Sequence, residues 1–510
     1  MKRLILSILS MTYICLSSSA MGPKARSLTE EKNYLLSIYP ISEVTSTEEL
    51  TTETSVEEVT YFDGIGRPVE EIQRGFGASY NDIVTFHQYD ALGREPSQML
   101  PSVGTGTGAY VDINTYRNKA ASLYDDTVPY STIEFESSTL SRPLSVMGAG
   151  EKWTDADKKV RYQYLANTSS GELSCWHFIV SGSRDNHTLV RVGLYSANHL
   201  QVTKMVDEDN NSTISFQDSD GRNILTRKVI DGKYADTYYV YDNYGNLCYV
   251  LSPEGSEAWN RNEKVVATDK LGFQYRYDER NRCIAKKLPG ADWIYYIYDV
   301  NDRLIFTQDA NMRTQGKWMM TLCDAEGRET IRGIYTGTAS QLSVDELDMH
   351  TAGASSGGYL GYVLPSSLSP SSISLRSVTY YDDYSKVNTL FSVPANVVGF
   401  REIDGLDSTN DSRTQGLMTG RLIYSEDGTT SSPIFYYYDK RGRLIQQRRS
   451  DGYTLGQSYD FRGLTTATYE EQIANGDTTW IRTSYSYKHN GLVDTLLVNT
   501  SGDGVAQMVH

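Results

Sequence analysis

The sequence predicts an all-β protein built from antiparallel β-hairpin repeats, and three observations carry that expectation. A phrase of the form Tyr-Asp-x-x-Gly-Arg recurs along the chain. Its fourth position, counting from the aspartate, is held by residues that tolerate a left-handed backbone. Tyrosines spaced two apart run into the phrase, the period of one face of a strand.

The turn is the first element to justify. Copies begin at Asp63, Asp90, Asp207, Asp218, Asp242, Asp278, Asp299, Asp324, Asp439 and Asp460, with a worn copy at Lys488. An aspartate opening a type I turn accepts from the backbone N–H two residues on, and a positive φ at the fourth position lets the returning strand start with a bulge. That position is Gly66, Gly93, Gly221, Gly245, Gly327, Gly442 or Gly463, and elsewhere Asn210, Asn281 or Asp302. The exchange among Gly, Asn and Asp implies a conformational requirement.

The strands come next. The pairs Tyr239 with Tyr241, Tyr275 with Tyr277, Tyr296 with Tyr298, Tyr436 with Tyr438, and Tyr485 with Tyr487 precede turns, and "RLIF" and "RLIQ" follow them. Copies often lie about 21 to 28 residues apart, room for two strands and their connections. A lone hairpin is marginal in water, so each must stack on the next. The tyrosine stripes could instead stack on sugar rings, but recurrence at every turn favours cross-strand packing.

The YDxxGRL phrase at this spacing resembles the RHS/YD-repeat family. "EEVTYFDGIGRPVEEIQ", "NDIVTFHQYDALGREPSQMLP" and "STIEFESSTLSRPLSVMGAGEKW" resemble the uncharacterised N-terminal domain that precedes such repeats in secreted bacterial members, and "YRYDERNRCIAKKLPGADWIYYIYDVNDRLIFTQD" is similar to the repeats that follow it. The resemblance implies a β-ribbon wound into a spiralling shell, and with this few repeats an open one. It brings no catalytic residues. Fuller members continue into a core segment and a variable terminal domain, often a toxin, whereas this sequence stops at "TSGDGVAQMVH".

The expected organisation is a signal peptide at 1–20, a polar linker or edge strand at 21–55, an N-terminal β domain at 56–165, repeats at 166–340, a Ser-rich insertion at 341–375 and repeats again at 376–510. Within the insertion "SVDELDMH" is a short helix candidate, and "PSSLSPSSIS" reads as a loop. The start "MKRLILSILSMTYICLSSSA" has basic residues, a short apolar run and small residues before a cleavage site after Ala20. The mature chain is thus expected to be secreted or at the cell surface, with no transmembrane span after cleavage.

A net charge of −16 over 510 residues excludes a nucleic-acid backbone as partner. Cys175, Cys248, Cys283 and Cys323 allow three disulfide pairings, but their wide spacing suits buried small apolar side chains better. The seven histidines are scattered, so no metal is expected. "GASSG" places Ser355 in a nucleophile-like pattern without the strand and helix that motif needs. "DEDNNSTISFQD" resembles a calcium loop but has Ser212 where glycine is required. "GTGTG" at 104–108 lacks a phosphate-loop ending and reads as a flexible loop.

These readings converge on a non-enzymatic secreted scaffold without cofactors. Its partner is expected to be a downstream core or toxin chain. The alternative is a surface module binding glycan or protein through its tyrosine faces.

Overall fold

The computed structural model describes residues 25–51, 54–77, 80–337, 348–353, 358–384, 400–404, 406, 413–502 and 505–509. The signal sequence and Ser355 lie outside them, as does most of "SVDELDMH".

One antiparallel sheet runs through the chain nearly in sequence order. It starts at the strand Asn33–Pro40, which pairs with Ser55–Phe62, and ends at Val505–Val509, which pairs with Val493–Thr500. Among the described residues these two end strands do not pair with each other, so the sheet is open and closes no barrel. The expected polar lead at 21–55 contains the first of these edge strands, because Leu36 and Ile38 alternate onto the buried face.

The repeated phrases make the turns. In each copy the fourth residue returns its N–H to the carbonyl of the first, as in Gly66 to Asp63 at 3.2 Å and Asn281 to Asp278 at 3.1 Å. The first residue donates in turn to the carbonyl of the fifth, as in Asp299 to Arg303 at 2.9 Å. The fourth residue takes φ +85° at Gly327, +61° at Asn281 and +60° at Asp302. The pairing register then shifts beside the turn, between Val240 and Tyr241 for example, which is the expected bulge. Lys488 turns the chain in the same way without the aspartate.

Alternation along the strands creates two faces. On one, Phe216, Leu225, Tyr238, Phe306, Leu322, Tyr380 and Phe435 are buried. Strands alone cannot cover that face, and segments between strands fold over it. Residues 167–200 leave the sheet, since Lys159–Ala166 pairs directly with Gln201–Val206. Their hairpin, Trp176–Ser183 with Asn186–Leu194, packs Phe178 against Tyr238 and Trp259 at ring distances of 5.0 and 5.4 Å. The Ser-rich insertion serves the second cluster, burying Met349, Tyr362 and Leu368, with Tyr362 stacked on Tyr380 at 5.6 Å. In "SVDELDMH" the described residues Asp348–His350 are not helical, and His350 bridges to Cys323.

Helices form elsewhere, at Ile113–Tyr124 capped by Asp112 and at Pro253–Asn260 capped by Ser252. A polar cap and, in the second, a proline at the first turn are the local causes. The cysteines Cys175, Cys248, Cys283 and Cys323 are free thiols.

The ribbon also curls. The turn at Lys488–Leu492 meets the loop after Pro68–Arg74, where Asn490 Nδ2 donates to Phe76 O at 3.0 Å and His489 stacks on Tyr80 at 4.7 Å. His489 Nε2 also meets the carbonyl of Gly75.

At Gly327 a side chain would meet no atom within 4 Å, so the cost of replacing it is purely conformational. Gly327→Val should cost about 1–2 kcal/mol in urea unfolding, and Asn281→Gly should change stability by less than about 0.5 kcal/mol. Equal costs for the two would contradict a left-handed requirement at this position.

Candidate functional site

Each turn is completed by side chains, and the unit at Asp439 shows how. Asp439 Oδ1 accepts from the N–H groups of Arg441 and Arg443 at 2.8 and 2.9 Å. Arg443 folds back so that Nε donates to Oδ2 at 2.6 Å. Its Nη1 reaches the next turn, donating to Asp460 O at 2.9 Å, and its guanidinium lies over the Tyr459 ring at 4.8 Å. Tyr459 closes the circuit by donating its hydroxyl to Leu444 O at 2.8 Å. The same circuit joins Asp278, Arg282 and Tyr298.

The arginine's double duty was missed in the sequence, where only the aspartate and glycine had a stated job. A further turn was missed because it lacks the phrase. Glu136 takes the aspartate's place, holding Arg142 through Nε at 2.9 Å and Nη2 at 2.7 Å, and Arg142 lies over Tyr164 at 4.2 Å. "FESSTLSR" carries the same acid and arginine with two extra residues between them.

The paired tyrosines Tyr239, Tyr241, Tyr275, Tyr277, Tyr296, Tyr298, Tyr436 and Tyr438 are all half-buried, and Tyr241 and Tyr277 pack against a core cluster. Tyr241, Tyr277, Tyr298 and Tyr438 commit their hydroxyls to the carbonyls of Asn223, Leu247, Cys283 and Met418. Burial raises the phenol pKa of Tyr275, Tyr296 and Tyr436, and pushes Tyr438 up to about 12. Rings engaged in this way join neighbouring strands and leave little of their faces to a ligand.

The glycine loop is organised around an acid. Asp82 is fully buried, and its carboxylate accepts from the N–H groups of Gly75, Gly106 and Gly108, each at 3.0 Å. A Cβ at Gly104 would stand 2.7 Å from Asp82 Cβ, and Gly108 has φ +78°. "GTGTG" is therefore an anion nest whose anion is an internal side chain, not a loose loop. The calcium-like stretch resolves into two turns and the strand Ser212–Gln217, with Asp207 Oδ1 held by the N–H groups of Asp209 and Asn211.

Nearby, Glu57 bridges Arg74 at 2.8 Å and Arg26 at 2.7 Å. Glu70 is also buried, accepts from Val111 N–H at 3.0 Å and is pushed up to about 8 by desolvation, with Asp82 and Asp112 adding to the rise.

Between the excursion hairpin and the turns at Asp218 and Asp242 lies a cavity of about 300 Å³, walled by Trp176, His177, Tyr195 and Tyr239 and edged by Asp218, Asp220, Arg222 and Asn243. His177 and Tyr195 lie ring to ring at 4.1 Å. Burial holds the His177 pKa below its ordinary value and pushes Tyr195 up to about 12. Both rings are thus neutral near pH 7.

Residues 38–166 match a family described as a domain of unknown function, DUF6443. No curated protein matches the chain. Among solved structures it is similar to a TcdB2-TccC3-TEV crystal structure, with 13% identity and TM-score 0.45, covering 89% of this chain and 21% of that one. A Photorhabdus luminescens Tc holotoxin pore gives 14% identity and TM-score 0.44, again over 89% of this chain and 21% of that one. The chain thus spans about a fifth of the length of these structures.

Two outcomes follow from this geometry. Because Glu70 holds a proton in the folded state that the unfolded chain releases near pH 4.5, its contribution to stability is present below about pH 4.5 and is lost as pH rises through about 8. Glu70→Gln keeps an acceptor for Val111, so its melting temperature should gain on the parent's between pH 5 and pH 8.5. A constant difference would contradict a protonated Glu70. Arg443→Lys removes a fork with three partners and should destabilise by about 1–2 kcal/mol in chemical denaturation, whereas Lys440→Ala on the exposed turn should stay within about 0.5 kcal/mol.

Proposed function

We propose that the protein is a non-enzymatic, exported scaffold of RHS type, whose curved β-ribbon forms part of an enclosure completed by another polypeptide. The observation that carries this reading is the circuit of aspartate, arginine and tyrosine. At Asp278 and Asp439 it ties one turn to the next, and it commits the most recurrent polar side chains of the chain to construction. Chemistry that recurs from turn to turn in this way is architectural, and an active site would be expected in one place only. The DUF6443 match over 38–166 supports the reading, since the sequence there resembles the domain preceding YD repeats.

Among the described residues the sheet is open, with strand edges unpaired at Asn33–Pro40 and Val505–Val509, which supports an incomplete enclosure. Among the described residues no helix is long and apolar enough to cross a membrane. The export signal, the partner and the absence of catalysis belong to the proposal.

The test is co-expression with the polypeptide encoded immediately downstream, followed by size-exclusion chromatography and limited proteolysis. Co-elution, with the downstream chain shielded from protease, is the expected result. A chain that elutes alone and binds specific glycans on an array, with Tyr239→Ala or Tyr296→Ala abolishing the signal, would replace the scaffold with a binding module.

A further inference from the structure

The cavity beneath the hairpin is where the repeat pattern is broken twice. First, residues 167–200 are inserted between paired strands and supply aromatic walls that no turn phrase encodes. Second, the fifth position of the adjoining turn is Asn246, whereas seven of the ten copies carry arginine there and Asn211 and Leu464 are the other exceptions. Asn246 reproduces the hydrogen bonds, its backbone N–H and Nδ2 donating to Asp242 at 2.8 and 2.9 Å, but brings no charge. Asp242 is 9% exposed and borders the cavity.

The electrostatic balance follows. Arg222 is the cation lining the cavity, already divided between Asp218 at 2.7 Å and Asp220 at 3.0 Å. Asp242 adds a third carboxylate, while the neutral rings of His177 and Tyr195 offset none of that charge. An anion would be repelled here. Aromatic faces beside three carboxylates facing a single cation attract an organic cation, since the ring quadrupole and the excess carboxylate charge act in the same sense. The chain uses this chemistry on both flanks, with Arg191 over Trp176 at 4.3 Å and Arg184 over Tyr244 at 3.3 Å. A volume of about 300 Å³ admits one extended guanidinium or ammonium side chain and excludes a folded segment.

We propose that this cavity binds a guanidinium or alkylammonium group, as presented by an arginine or lysine side chain or by a small polyamine. Asp220 and Asp242 supply the charge, and Trp176, His177 and Tyr195 the aromatic walls. The site goes beyond the scaffold reading and stands whether or not the ribbon encloses a partner.

Titration calorimetry on the full chain tests it, with agmatine as probe at 50 and 300 mM NaCl. One saturable site is expected, weakened at least fivefold by the higher salt and at least fivefold by Asp220→Asn. Glu326→Gln removes the same charge from an exposed turn elsewhere and should leave binding unchanged. Trp176→Leu should weaken binding at least fivefold, with circular dichroism showing the fold retained. A capped Arg-Gly-Arg peptide that binds tighter than agmatine would identify a protein side chain as the occupant, and weaker binding would identify a free amine. Absence of saturable heat, equal loss in Asp220→Asn and Glu326→Gln, or preference for methyl glycosides over agmatine would each overturn the proposal.

Discussion

The structure depends on an arginine shared between two turns. Taken alone, a type I turn with a left-handed fourth residue reverses a strand but says nothing about where the next strand goes. The guanidinium of Arg443 is planar and forked, so it can satisfy Asp439 on one side while lying over Tyr459 and donating to Asp460 O. The aspartate fixes the arginine, the arginine orients the next tyrosine, and that tyrosine's hydroxyl holds the carbonyl just past the first turn. Geometry thus passes from hairpin to hairpin through side chains as well as through the backbone ladder. Each ion pair is partly exposed and individually modest, but the planar geometry restricts how neighbouring hairpins can rotate.

Much of this was legible, for a specific reason. Positive φ leaves a compositional trace, since Gly66, Asn281 and Asp302 are different residues meeting one backbone demand. Period-two tyrosines likewise mark a strand face. What the sequence concealed were contacts made across intervals without fixed length. The hairpin Trp176–Ser183 with Asn186–Leu194 reads as two more strands, and only tertiary packing of Phe178 on Tyr238 and Trp259 sets it on top of the sheet. The acid nest was hidden for the same reason. Asp82 and the glycine loop are each unremarkable in one dimension, and the loop's composition pointed to mobility although three of its amides and that of Gly75 converge on Asp82 through side-chain and backbone bonds. Helix Pro253–Asn260 announced itself through Ser252 and Pro253, a local signal outweighed by the repeat pattern around it.

Burial is solved with polar groups as well as apolar ones. In the N-terminal part, acidic groups enter the interior: Glu57 with Arg74, the protonated Glu70, and Asp82 are all buried, each with a hydrogen-bonding partner. Buried polar groups of this kind cost stability but leave few alternative arrangements, because any other pairing strands a buried acid without its partner. In the repeats the two large clusters are aromatic and aliphatic, while Arg227 with Asp236 and Glu471 with Arg401 add buried and half-buried ion pairs beside them. A sheet that starts from a constrained polar core and then propagates by recurring edge contacts has a defined first member and no intrinsic last one.

That property gives the meeting of His489 and Asn490 with Gly75, Phe76 and Tyr80 a further meaning. Twist accumulates by a small angle at every strand pair, so the position of the Lys488 turn relative to the first strands is the sum of all the steps between them. The contact works as a vernier. It aligns only for one number of intervening hairpins, and inserting or removing a single unit would carry the turn past its mark even if every local interaction were kept. Unit count, a quantity that no individual repeat encodes, is thereby under structural constraint.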